Sequence, residues 1–115
     1  MTDLSRMSSA STTSIYVLHL EHGKYYVGES KDPVKTAQEH AEGLGPFWTQ
    51  VHHPLKTMEI AKGKQREELD HYVKMSMRKY GIENVRGGSW ENARLSDADR
   101  QSLHDELDSS SCTIS

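Results

Sequence analysis

The sequence predicts a small α/β domain: a three-stranded, mostly antiparallel sheet flanked by helices, with flexible termini. Three observations predict it. Ser14 to Gly28, SIYVLHLEHGKYYVG, holds two runs rich in β-branched and aromatic residues on either side of Glu21, His22 and Gly23. Two such runs joined by a short Gly-containing connection read as a β-hairpin. Lys64 to Tyr80 places Leu69, Tyr72, Val73, Ser76, Met77 and Tyr80 at the spacing of one helix face. The chain has 115 residues, 34% of them hydrophobic and 27% charged, which allows one domain with a small core.

The elements follow in order. Met1 to Thr13 is Ser/Thr-rich, lacks sustained periodicity, and reads as a flexible tail. In the hairpin, Tyr16 lies on the first strand and Tyr25 and Tyr26 on the second. Asp32 before Pro33 is a helix start, with a side-chain acceptor at the N-cap and proline at the first helical position. Val34, Ala37 and Ala41 give Pro33 to Glu42 a small apolar face, and Gly43 and Gly45 end it. Phe47 to Pro54 reads as a loop or a transition into a strand. Leu55 to Ala61 alternates loosely and reads as the third strand, with Gly63 as punctuation. The long helix from Lys64 ends at Gly81. Ile82 to Trp90 is broken by Gly87 and Gly88 and reads as a short extended segment with a tight turn. Ser96-Asp97-Ala98-Asp99 resembles a helix N-terminus, and a short helix to Leu107 follows. The chain thus divides into a tail at 1–13, a core domain at 14–91, a C-terminal helical segment at 92–107 and a tail at 108–115.

Bulk properties exclude several classes. No apolar run approaches the roughly 18 residues that a membrane span needs. The first residues lack the apolar core of a secretory signal. A formal charge of −3 gives no global basic field for tight, non-specific duplex binding. Lys24, Lys31 and Lys35 nevertheless lie close together in sequence and leave room for a local basic face. The single cysteine, Cys112, precludes an intrachain disulfide framework and fits a reducing, intracellular setting, cytoplasmic or nuclear.

The order of elements, with those tyrosines, resembles the GIY-YIG nuclease superfamily. The first family motif stands here as Ser14-Ile15-Tyr16 and the second as Tyr26-Val27-Gly28. His40, Trp48-Thr49 with Pro54, and Asn84-Val85-Arg86-Gly87-Gly88-Ser89 extend the resemblance over roughly Ser14 to Trp90. The resemblance implies hydrolysis of phosphodiesters, DNA above all, with one divalent cation, Mg²⁺ or Mn²⁺. Such a hard cation takes carboxylate and water oxygens and can activate water. The resemblance further implies Tyr16 near the attacking water, Tyr26 supporting it and His40 assisting. Gly28 lets a ligand approach the backbone, and Glu68 holds the metal. Glu67 points further to solvent, and Asp70 flanks the other side of the helix stripe.

The sequence departs from the family pattern at named positions. The family arginine that faces the phosphate falls at Thr36, which carries no charge. Lys35 is adjacent but about 100° away around the helix, and Arg86 could approach from another segment. Ser14 replaces the leading glycine, and Glu29 puts an acid beside the second motif. Losing such a cation costs on the order of 10²–10³ in rate. Two expectations therefore stand side by side. One is a metal-dependent DNA endonuclease weakened by Thr36. The other is an inactive module of the same fold that binds nucleic acid or a protein partner.

The seven histidines show no Cys/His spacing of a structural zinc site. The last four residues, Cys112-Thr113-Ile114-Ser115, have the C-a-a-X form, so Cys112 is a candidate farnesylation site and a potential membrane tether. The acids just upstream supply no polybasic second signal, and one lipid chain alone gives marginal binding.

Overall fold

The computed structural model describes residues 12–114, with side chains described through residue 107. Strands β1 (Thr12–Leu20) and β2 (Tyr25–Ser30) form the expected antiparallel hairpin around a 3₁₀ turn at Glu21–Gly23. Helix α1 (Pro33–Ala41) starts as its sequence dictates: the Asp32 carboxylate accepts the Lys35 N–H, and proline fills the first turn.

Several expectations need correction. The Phe47 to Pro54 stretch is not wholly irregular, because Phe47–Val51 forms a short helix, α2. Pro46 sets its start, and the Thr49 hydroxyl donates to the Pro46 carbonyl. Strand β3 runs Pro54–Gln65, beyond Ala61 and through Gly63. Its far end is held by Thr12 and Thr13, which pair with Gln65 and Lys64. Those two threonines belong to β1 rather than to the expected N-terminal tail; the rest of that tail lies outside the described residues. Because β3 is long, the helix after it begins late. A 3₁₀ turn at Arg66–Glu68 intervenes, and α3 spans Leu69–Tyr80. Its buried face is the expected one, with Val73, Ser76 and Met77 innermost.

The sheet has four strands, not three, in the order β3-β1-β2-β4, where β4 is Val85–Gly87. β1 is antiparallel to both β2 and β3, whereas β4 lies parallel to β2. The sheet is therefore mixed. The path β3-α3-β4 is a crossover from one edge to the other, the type of connection that parallel strands require. A three-residue strand shows no alternation, so its sequence carries no strand signature. What marks it instead is Gly87, at φ 148, where a Cβ would collide with the Val27 carbonyl.

The last helix, α4, spans Asp97–Ile114 and so passes the expected limit at Leu107, in a stretch that holds no Gly or Pro to stop it. Cys112 is within α4, beyond the described side chains; Ser115 lies outside the described residues. Among the described residues no helix is long and apolar enough to cross a membrane.

β1 is central and covered on both faces. Its odd residues Ile15 and Val17 join Val27, Val73, Met77 and Leu103 under α3 and α4. Its even residues Tyr16, Leu18 and Leu20 join Tyr26 and Trp48 under α1 and α2. The two-residue period thus sends the motif tyrosines to the face opposite α3.

Candidate functional site

Tyr16 and Tyr26 sit on neighbouring strands, their ring centroids 6.3 Å apart. Tyr16 is directly opposite Gly28 in the β1–β2 register. A Cβ at Gly28 would stand 2.5 Å from the Tyr16 hydroxyl oxygen. The glycine therefore makes room for the tyrosine ring. The space expected for an approaching ligand is filled by the protein's own phenol.

Each phenol has a partner. The Tyr16 hydroxyl is 2.9 Å from His40 Nε2, and His40 Nδ1 is 3.2 Å from Thr49 Oγ1. The Thr49 hydroxyl donates to the Pro46 carbonyl, so its oxygen is the acceptor for His40 Nδ1–H. That leaves the Nε2 lone pair to accept the Tyr16 proton. One line of donors thus runs from β1 through α1 to α2. Burial holds His40 below its ordinary value, against the opposing charges of Glu39 and Glu91. Tyr26 donates to Glu91 Oε2 at 2.5 Å. Burial pushes both phenols above their usual range, with Glu91 adding to each. Both stay protonated near neutral pH.

Beyond Tyr26 opens a cleft of about 480 Å³, lined by Gly28, Glu29, Arg66, Glu67, Asp70, Ser89 and Glu91 among others. Asp70 accepts from Ser89 N–H at 2.9 Å and from its hydroxyl at 2.6 Å, which ties α3 to the turn after β4. Glu29 accepts from Thr13 at 2.9 Å and pairs with Arg66 at 3.6 Å. Four carboxylates thus face the cleft with one guanidinium, and the cleft repels an uncompensated phosphate.

The other expected residues are placed elsewhere. Glu68 does not reach the phenols: its carboxylate accepts the Gln65 N–H at 2.8 Å in a capping box. It lines a separate cavity with Val17, Met58 and Tyr72 under the α3 face. The cause is the long β3, which sets Glu68 in the turn rather than on the helix. Glu67, expected to be solvated, is exposed but lines the tyrosine cleft. Lys35 is exposed on α1 and does not line the cleft. Thr36 is engaged with Ser30, 2.6 Å between hydroxyl oxygens.

Arg86 corrects the expectation most sharply, because it is only 2% exposed. Its guanidinium donates to the carbonyls of Ile82, Val85, Asn92 and Ala93, and it lies 4.6 Å from the Trp48 ring centroid. Burial and these four carbonyls make it a structural clamp around β4.

Among the described residues no group of three or more His, Cys, Asp or Glu side chains is arranged to hold an ion. Glu68, the metal ligand that the resemblance implies, has its carboxylate committed to the Gln65 N–H. Glu91, the partner of Tyr26, went unnoticed in sequence, and 65 residues separate the two with no motif to link them.

No protein-family model matches the chain, and searches of curated proteins and of solved structures return no significant match.

Proposed function

We propose that this chain is a GIY-YIG-like module without phosphodiesterase activity, whose tyrosine cleft binds a basic segment of a protein partner. One observation carries the reading: three positions considered for the phosphate or the metal are engaged elsewhere, and Lys35 does not line the cleft. Thr36 bonds to Ser30, Glu68 caps a turn, and Arg86 is spent on four carbonyls. What remains at the cleft is a phenol beneath Glu29, Glu67, Asp70 and Glu91. A lysine or arginine side chain fits that excess of carboxylates.

A second reading, Mg²⁺- or Mn²⁺-dependent DNA cleavage, has one observation in its favour. Each motif phenol is hydrogen-bonded to a group that can take a proton, His40 or Glu91.

Titration of the ¹⁵N-labelled protein with a lysine-rich peptide, and separately with a short DNA duplex, distinguishes partners. The peptide is expected to shift Tyr26, Glu67 and Ser89 amides, more weakly in Glu67→Gln. Shifts produced there by the duplex and not by the peptide would contradict the proposal.

A further inference from the structure

Outside the tyrosine cleft, the fold brings two histidines from distant parts of the chain into contact. His22 lies in the hairpin turn and His52 caps the C-terminus of α2. Their Nδ1 atoms are 2.9 Å apart. Their backbones hold them there. Glu21 N–H donates to the His53 carbonyl at 2.9 Å, and His53 N–H donates to the Glu21 carboxylate at 3.1 Å. This two-bond clamp joins the residues that immediately flank the pair. His52 is further fixed edge-on against Trp48, ring centroids 4.7 Å apart. His22 adopts φ 66, the only described non-glycine residue at positive φ.

We propose that His22 and His52 form a surface site for a borderline transition-metal ion of the Cu²⁺, Ni²⁺ or Zn²⁺ class. Two imidazole nitrogens about 2.05 Å from a metal and about 90° apart stand about 2.9 Å from each other. That spacing suits two adjacent positions of a square-planar or octahedral shell, the geometry of Cu²⁺ and Ni²⁺ more than of tetrahedral Zn²⁺. A hydrogen bond between the two rings has the same spacing; to bind an ion the donor ring gives up its Nδ1 proton to water and takes one at Nε2, and both rings turn so that the two Nδ1 lone pairs converge on the ion. His22 is exposed and His52 half-buried, so water can complete the shell. The protein supplies two ligands here, which predicts an exchangeable ion rather than a structural one. Once bound, the ion would fasten the hairpin turn to the end of α2, the helix that carries Trp48 and Thr49 beneath the tyrosines. This site is independent of the cleft reading above.

The test is calorimetric titration with Cu²⁺, Ni²⁺, Zn²⁺ and Mg²⁺, with the Cu²⁺ complex examined by electron paramagnetic resonance. One Cu²⁺ or Ni²⁺ per chain is expected, with two nitrogen donors and no binding of Mg²⁺. His22→Asn, which tolerates the left-handed backbone, should weaken binding at least about tenfold. His71→Ala, an exposed histidine on α3, should leave it unchanged. Absence of Cu²⁺ and Ni²⁺ binding, or equal binding by wild type and His22→Asn, overturns the proposal. A folded spectrum for each variant confirms that the comparison is between intact proteins.

Discussion

At the scale of single residues, the tyrosine end is built by exclusion of space. Gly28 is there because the Tyr16 ring occupies the place of its side chain. Gly28→Ala is expected to destabilise the fold by about 1–3 kcal/mol through forced displacement of that ring, read from the urea midpoint. His40 gives the site a pH signature. Its pKa is lowered by burial, so the unfolded chain takes up this proton more readily than the folded one. Its contribution to stability is complete above the ordinary value of 6.5, declines as pH falls below it, and levels off below the folded-state pKa. Urea midpoints should therefore fall between about pH 7.5 and about pH 5.5, and His40→Asn should reduce the slope. At this scale sequence reading reached both members of the Tyr16–His40 pair and one member of each of the other two. Tyr16, Tyr26 and His40 stood out by type and position. Thr49 as the support of His40 and Glu91 as the acceptor for Tyr26 did not, because long-range hydrogen bonds leave no local pattern. Glu68 sits in the turn before α3 rather than on the helix, because helix boundaries are the feature that periodicity locates least well.

At the scale of elements, Arg86 ties the 3₁₀ turn before β4 to the segment after it. It holds carbonyls on both sides of β4 and lies against Trp48 of α2. Arg86→Met should cost about 3 kcal/mol or more, since it leaves buried carbonyls without a donor. Arg86→Lys should recover little of this, because an ammonium cannot reproduce the planar fork; chemical denaturation of both variants checks it. The elements that sequence made plain were those with a repeating signal, namely the hairpin, α1 with its Asp32-Pro33 start, and the apolar stripe of α3. Those it concealed were short or extended by pairing. β4 has three residues. The end of β3 is ordered by Thr12 and Thr13, whose own segment looks like a tail. α2 depends on Pro46 and on burial of Trp48 against residues from the hairpin.

At the scale of the whole molecule, the two sheet faces have different tasks. The α3 and α4 face is an aliphatic core, and the α1 and α2 face is a smaller cluster built around tyrosines, a histidine and Trp48. The cleft at its end carries more negative than positive groups, as does the chain, with a formal charge of −3. That balance favours a cationic partner over a phosphate backbone. Overall composition pointed the same way, although only the assembled cleft shows which acids converge. In the proposed function this arrangement of phenols does not hydrolyse phosphodiesters. The most direct measurement is single-turnover cleavage of branched, single-stranded and duplex DNA with Mg²⁺ or Mn²⁺, comparing the wild-type chain with Tyr26→Phe. No metal-dependent cleavage by the wild type beyond that of the variant is expected, whereas cleavage by the wild type that disappears in a folded Tyr26→Phe protein would overturn the proposal.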